Sequence, residues 1–355
     1  MRVGTAPAPA GTTYTSLLYA AVEDAGATVD DVTLRKLLRQ RYDIVHLHWP
    51  EWYLYRRPLT RMVGRSTMFL AALAWARLRG ARLVWTAHNL SPHERTSRRY
   101  TAWFFAVFTR LVDAVVSPTV SGLEPLRQRF PRLARTSMSV VPLGHLRGRY
   151  PDHGSRALAR ERLGIPVQAT VATFFGHVRP YKNVPGLVRE FRALADPGSV
   201  LLIGGRPLDD GVKAEIEEAA GGDDRVRLHL GYIDDDDVQH YMRACDIVVL
   251  PYAESSNSFV ALLALSFDRP ILAPAIGAFP ELANAVGADW VRLYDGDLTV
   301  GVLGDALAAA RVQLADGSKP DLDAFSWPSI GAATMAVYRS ALGNEAEVVS
   351  AGVIP

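Results

Sequence analysis

The chain has 355 residues, enough for two domains of ordinary size, and 49% of them are apolar, which excludes a disordered chain. A single cysteine, Cys245, excludes an internal disulfide framework and fits a reducing cytoplasm. The net charge of +2 hides a split: residues 1–165 carry 25 Lys and Arg against 11 Asp and Glu, and residues 166–355 carry 14 against 26, which points to two domains with different partners.

The basic half suits nucleic acid, an anionic membrane surface or a phosphate-bearing acceptor. Zinc spacing, an RNP-like motif and a helix-turn-helix signature are all missing from the sequence, so nucleic acid is not expected. The opening MRVGTAPAPAG has no long apolar stretch of the kind a signal peptide needs. No run of about eighteen apolar residues occurs, so no transmembrane helix is expected.

Arg2–Ala6 reads as a first strand, followed by a loop and a helix over Tyr14–Ala25. Gly11, Thr12 and Thr13 then fall where a first strand-to-helix turn opens toward a ligand, or they form a plain connection. Tyr42–Trp49 (YDIVHLHW) reads as a strand that Pro50 halts. His48, Trp49 and Glu51 are thus placed near its C-terminal end, where α/β sheets keep their sites. His46 alternates with His48 and reads as a core histidine with its hydrogen bonds satisfied.

A helix over Thr67–Leu78 and a strand over Ala81–Thr86 follow. His88, His93 and Glu94 come just past that strand, and each is suited to proton transfer or to holding a sugar hydroxyl. Their spacing lacks the HExxH pattern, so a metal is not expected. Arg98–Leu111 (RRYTAWFFAVFTRL) is an aromatic helix ringed by arginines. It suits a core helix, or an edge resting on lipid headgroups together with Arg56, Arg57, Arg61 and Arg65. Strands are predicted at Ala114–Ser117 and Met138–Pro142, and a linker around His145–Ser155, where Gly, Pro and Arg accumulate.

The second half repeats strand–helix units. Strands are predicted at Thr170–Phe175, Val200–Gly204, Val226–Leu230, Ile247–Pro251, Pro270–Ala273 and Trp290–Tyr294, with helices between them. Alternation in both halves implies two doubly wound parallel sheets. The most informative stretch is 172–191, ATFFGHVRPYKNVPGLVREF. A buried strand ends at Gly176, and an amphipathic helix opens after Lys182-Asn183. Free N–H groups and the helix dipole make such a turn an anion site, and His177, Arg179 and Lys182 add charge. The alternative is a solvated basic loop. Against it stands the scarcity of lysine, since Lys36, Lys182, Lys213 and Lys319 are the only four. Gly205-Arg206 and Ser256-Asn257-Ser258 follow two further strands and can join the same diphosphate cradle. Asp234–Asp237 reads as an acidic run capping a helix.

Taken together, two Rossmann-like halves, a basic loop and a late helix over Trp327–Leu342 resemble the GT-B fold of nucleotide-sugar glycosyltransferases. The segments YDIVHLHWPEW, TAHNLSPHE, FGHVRPYKNV, VVLPY, LLALSFDRPILAP and GADWVRLYDG resemble the β-1,4-mannosyltransferases of xanthan- and acetan-type exopolysaccharide assembly, glycosyltransferase family 94. The resemblance implies an acceptor-binding domain over 1–150, a nucleotide-sugar domain over 151–325, a helix over 326–342 packed back on the first domain and a frayed tail over 343–355.

The same resemblance implies a GDP-mannose donor, an acceptor glycan on a polyprenyl diphosphate, inversion, no metal or other cofactor, and a cytoplasmic protein peripheral to the inner membrane face. Gly176, His177, Arg179, Lys182, Gly205, Arg206, Ser256, Asn257 and Ser258 are the expected donor-binding set. Gly11, Thr12, His48, Trp49 and His93 are the expected acceptor-binding set, and Glu94, His88 and Glu51 the catalytic candidates. The chain also departs from the wider retaining group. His177 stands where arginine is usual, Asn183 where glycine is common in the loop, and Ser255 and Leu263 where a glutamate pair is usual. A retaining transferase with another nucleotide sugar and a non-catalytic binding subunit are the alternatives.

Overall fold

The computed structural model describes residues 1–6, 11–54, 59–88, 98–254, 258–315 and 317–343. Contacts divide the described residues into two units, one over Met1–Gly144 joined by 323–343, the other over His145–Leu322. The stretch His145–Ser155 belongs to the second unit.

In the first unit the elements are β1 (Arg2–Ala6), α1 (Thr13–Asp24), β2 (Thr28–Asp31), α2 (Leu34–Arg39), β3 (Ile44–Leu47), α3 (Leu59–Leu78), β4 (Arg82–Thr86), α4 (Arg98–Leu111), β5 (Ala114–Ser117), α5 (Leu123–Arg129) and β6 (Ser137–Val140). The six strands run parallel in the order β2-β1-β3-β4-β5-β6. Strand order reverses between β1 and β3, and the crevice beyond such a switch point is where open sheets place ligands. Thr12 starts α1 with a capping box: its hydroxyl accepts from Thr15 N–H, and Thr15 Oγ1 accepts from Thr12 N–H. One core face is aromatic, with Trp85 packed edge-on against Phe108.

In the second unit follow α6 (Arg156–Arg162), β7 (Thr170–Phe175), α7 (Val184–Arg192), β8 (Ser199–Gly204), α8 (Asp210–Ala220), β9 (Val226–His229), α9 (Val238–Ala244), β10 (Ile247–Val249), α10 (Phe259–Ser266), β11 (Ile271–Pro274), α11 (Phe279–Val286), β12 (Val291–Tyr294) and α12 (Val300–Ala315). Their parallel order is β12-β11-β10-β7-β8-β9, with the switch between β7 and β10. β7 and β8 are buried along their whole length, as expected of central parallel strands covered on both faces. The last helix, α13 (Trp327–Ala341), packs along α1. A Cβ on Gly331 would lie 2.5 Å from the Ala21 carbonyl oxygen, so glycine permits the close approach of the two helices.

Two parallel, doubly wound sheets are thus as predicted. Several elements escape a sequence reading for physical reasons. β2 (TVDD) is a polar edge strand, and α12 (VGVLGDALAAARVQLA) carries apolar residues around its whole circumference. α3 begins at Leu59, not near Thr67, and the strand predicted over Tyr42–Trp49 is trimmed to Ile44–Leu47. The acidic run is a correction: Asp237 precedes α9 but makes no side-chain cap bond. Asp235 and Asp237 instead pair with Arg149 and Arg162.

Candidate active site

Three chain segments of the second unit meet at Gly176. It follows β7 with φ +105°, a value that favours glycine. A Cβ there would touch Val260 of α10 at 3.2 Å, and the Cβ of a residue at Gly205 would fall 2.0 Å from the Gly176 carbonyl oxygen. The turns after β7 and β8 continue the ladder beyond the strands: Gly176 N–H donates to Gly204 O at 2.8 Å and Val178 N–H to Arg206 O at 2.9 Å. His177, Arg179 and Arg206 are carried on this doubled turn.

Lys182 closes a short 3-10 turn (Pro180–Lys182) and is buried, at 8% exposure. Its ammonium lies over two rings, 5.2 Å from the centre of Tyr252 and 5.7 Å from that of Phe174, and makes no ion pair among the described residues. Burial, with the Arg179 charge second, lowers its pKa to about 8. His177 is likewise pushed below the ordinary histidine value, first by burial and then by Arg179, Lys182 and Arg206. Among the described residues Arg179, Lys182 and Arg206 make no ion pair, although Glu215 and Glu218 line the same depression as Arg179; clustered cations of this kind are suited to an anion. Asn183 is left-handed, at φ 47°, and asparagine is the residue that tolerates this region best after glycine. That accounts for asparagine where glycine is common. Ser258 N-caps α10, its hydroxyl accepting from Ala261 N–H at 3.2 Å. Ser256 and Asn257 lie outside the described residues.

In the first unit the strand ends of β3 and β4 bring histidines together. His48 Nε2 and the Tyr19 hydroxyl are 2.5 Å apart, and His48 Nδ1 lies 3.0 Å from His88 Nε2. His46 is satisfied as predicted, by the Tyr338 and Thr86 hydroxyls, each at 2.7 Å. Burial keeps all three imidazoles neutral, with His46 and His88 lowered to about 3 and His48 well below its ordinary value. The Trp49 ring stacks on His88 at 4.6 Å and on Trp52 at 5.1 Å. Beside it opens a shallow cleft of about 100 Å³ lined by Leu47, Trp52, Tyr53, Arg65 and Phe69 among others. Tyr53 stacks on Phe69 at 3.8 Å, and the Arg65 guanidinium lies over the Tyr53 ring at 5.3 Å.

These placements revise one expectation. His48 is enclosed at 1% exposure with both ring nitrogens engaged, so it offers no atom to an acceptor. Glu51 is buried in the turn Pro50–Leu54. Gly11 and Thr12 head α1, the Thr12 hydroxyl being held in the capping box. His93 and Glu94 lie outside the described residues. Tyr19 and Tyr338 were missed, because neither belongs to a short motif and each meets the site only through the fold. Trp52 and Tyr252 lie in the segments that carry the resemblance and Arg65 in the expected lipid edge, but none of the three was given a place at the site. Among the described residues no group of three or more His, Cys, Asp or Glu side chains could hold a metal ion.

Two doubly wound parallel sheets, with a turn carrying His177, Arg179 and Lys182 at the switch point of one, are the architecture of a GT-B nucleotide-sugar glycosyltransferase. Residues 169–314 match the family model described as glycosyl transferases group 1. Over 338 residues, 94% of this chain and 90% of the relative, the sequence is 32% identical to a GDP-mannose:glycolipid 4-beta-D-mannosyltransferase of Xanthomonas campestris pv. campestris. The chain belongs to that glycosyltransferase family. Solved structures at 17% identity share the fold. Sucrose-phosphate synthase from Thermosynechococcus elongatus superposes with a TM-score of 0.66 over 97% of this chain and 100% of that one. Anabaena HepE in complex with UDP-glucose superposes at 0.62 over 97% and 98%.

Proposed function

We propose that this enzyme transfers mannose from GDP-mannose, with inversion to a β-linkage, onto a glycan carried by a lipid diphosphate. The observation that carries the reading is Lys182: a buried ammonium with no ion-pair partner among the described residues, set beside Arg179 and the glycine turns. Such a group suits the donor diphosphate, whose charge grows as the sugar leaves. The donor set is Gly176, His177, Arg179, Lys182, Gly205 and Arg206, with Ser256, Asn257 and Ser258 at the start of α10. These cations and helix N-termini take the part a metal ion plays elsewhere, so transfer is expected to persist in chelator. Mannose and the lipid-linked acceptor rest on the family resemblance and on the name of the Xanthomonas relative.

The acceptor belongs to the first unit, near Gly11, Thr12, Trp49 and His93. The proton of its attacking hydroxyl falls to a group at the ends of β3 and β4, with Glu94, His88 and Glu51 as candidates. The cleft beside Trp52 suits a pyranose, since aromatic faces pack against the apolar faces of sugars while Arg65 serves a phosphate. An anionic membrane at the inner face of the cell is the proposed setting. Met68 of α3 and Trp103 of α4 are exposed, and Arg61, Arg65, Arg98, Arg99 and Arg110 on the same two helices are exposed as well. No described helix is long and apolar enough to cross a membrane.

The test is thermal stabilisation by GDP, UDP, TDP and ADP, followed by transfer of labelled sugar from GDP-mannose to lipid-linked acceptors. Selective stabilisation by GDP and a β-linked product by NMR are expected. Selective stabilisation by UDP or TDP overturns the donor, and stabilisation by none overturns the cradle.

A further inference from the structure

A buried ammonium is costly unless a neighbour answers its charge. A carboxylate would do so for Lys182, but it would also repel an incoming diphosphate. Two ring faces stand in that place instead. Lys182 Nζ lies over Tyr252 at 5.2 Å and over Phe174 at 5.7 Å, within the range at which an aromatic face attracts a cation. The rings are themselves fixed. Phe174 belongs to β7 and is wholly buried, and Tyr252, just past β10, is 5% exposed. Phe279 and Tyr181 pack on Tyr252 with ring centres 5.9 and 6.0 Å away, and a hydrogen bond links the Tyr252 and Ser258 hydroxyls. Ala253 N–H donates to Tyr181 O at 2.7 Å, which pins the loop after β10 to the turn that carries Lys182. A Cβ on Gly176 would lie 3.9 Å from Nζ, so the ammonium stands over the glycine turn.

We propose that Tyr252 is a positioning residue whose ring, with that of Phe174, takes the place of a counter-ion: it holds the Lys182 ammonium charged over Gly176 and leaves its net charge whole for the donor diphosphate. The proposal rests on the donor-site reading for its purpose, though not for the pairing of ammonium and ring. An aromatic face attracts a cation through its quadrupole and carries no net charge of its own. The diphosphate therefore meets an undiminished positive charge and has no carboxylate to displace. Burial and the Arg179 guanidinium disfavour the charged form of Lys182, and the rings act against both. The other charged or titratable groups about the turn are His177 and Arg206, with Glu254 facing Tyr181.

The experiment is ¹H–¹³C NMR of the lysine Cε groups in the full chain, which has only four lysines, with the Lys182 signal assigned by Lys182→Arg. In wild-type protein the Lys182 Hε signals are expected upfield of the other three, shifted by the ring currents, and titrating at about 8. Tyr252→Leu should reduce the upfield shift and lower the pKa by about one unit. Tyr252→Phe, which keeps the ring, should retain both. GDP affinity of Tyr252→Leu relative to wild type should fall on the order of tenfold at pH 8.5 and agree within about twofold at pH 6, where either lysine is charged. A purely structural loss would weaken binding alike at both. Wild-type Lys182 Hε signals among those of the other lysines, an unchanged pKa in folded Tyr252→Leu, or equal losses of affinity at pH 6 and 8.5 overturn the proposal. The first of these needs no Tyr252 variant to fold. Wild-type protein that shows the ring shift and the titration but binds no GDP would sink the donor reading alone.

Discussion

Gly205 sits so tightly on Gly176 that a Cβ at position 205 would lie 2.0 Å from the carbonyl oxygen and 3.1 Å from the nitrogen of Gly176. The φ of Gly205 is +146°, which side chains also resist. Neither obstacle is the end of a flexible side chain, so the two turns must separate to admit a methyl group. Gly205→Ala is expected to destabilise the second unit by about 2–4 kcal/mol and to weaken diphosphate binding more than tenfold. Denaturant melts and calorimetric titration with GDP measure the two effects. Wild-type values in both would show that the turns are looser than this contact implies.

Lys182 gives diphosphate binding a pH dependence of known sign. Its pKa in the free protein is about 8, pulled down chiefly by burial. A bound anion favours the ammonium and raises that pKa, so binding takes up a proton once the pH exceeds about 8. Affinity for GDP should be level from pH 6.8 to 7.5 and fall toward tenfold per unit between pH 8.5 and 9.5. Lys182→Arg should flatten the profile, because guanidinium keeps its charge throughout. Equal slopes in wild type and variant would remove Lys182 from the site.

Legibility in the sequence followed the range of the interactions. β7, the cation turn and α7 were readable because the buried strand, the Gly176 break and the spacing Val184, Leu187, Val188, Phe191 are all local. His46 and His48 showed their strand through period two. Tyr19 and Tyr338 could not be assigned to those histidines, because the partners stand 29 and 292 residues away and a tyrosine in a helix carries no mark of its ring's destination. Lys182 was visible as an unusual lysine, yet the Tyr252 and Phe174 rings beneath it were not. Cys245 is buried within the apolar run ACDIVVL, and that apolar setting concealed the role of its neighbour Asp246.

Asp246 anchors α6 to the second sheet. Its carboxylate accepts from Arg160 at 2.9 Å, from Val171 N–H at 2.8 Å and from Arg156, and both Arg160 and Asp246 are buried. Arg160 further donates to the carbonyls of Ala244 and Ala169. Removing one partner leaves an uncompensated buried charge, so Asp246→Ala is expected to cost about 3–5 kcal/mol. The paired replacement Arg160→Met with Asp246→Leu should cost less than Asp246→Ala alone. A double-mutant cycle by urea unfolding decides it, and simple additivity of the single costs would contradict a coupled pair.

The three buried imidazoles make the first unit sensitive to acid. His46, His48 and His88 have folded pKa values below the unfolded value near 6.5. The unfolded chain therefore binds protons that the folded chain refuses, and stability falls as pH drops below about 6.5. Each histidine adds up to about 1.4 kcal/mol per pH unit until its folded pKa, near 3 for His46 and His88, is reached. His46→Gln, which keeps polar partners for Tyr338 and Thr86, should lessen the slope between pH 6 and 4.5 by about one third. Urea midpoints across that range test it, and an unchanged slope would mean that His46 is solvated or already charged.

Trp52 tests the aromatic cleft of the first unit apart from the donor cradle of the second. Its ring is 47% exposed and stacked on Trp49, which in turn stacks on His88 and lies 5.5 Å from the His48 ring. An exposed indole loses little folding stability on truncation, so Trp52→Ala should melt within about 2 °C of wild type. Loss of a stacking platform removes binding that ground state and transition state share. The expected outcome is a five- to twentyfold rise in acceptor KM, about 1–2 kcal/mol, with kcat and the donor KM unchanged. Arg65→Ala should raise the acceptor KM for a diphosphate-bearing acceptor more than for the same glycan lacking phosphate. Unaltered acceptor kinetics in both variants would place the acceptor elsewhere on the first unit. A fall in kcat alone for Trp52→Ala would instead show that the Trp52–Trp49 stack acts by holding His88.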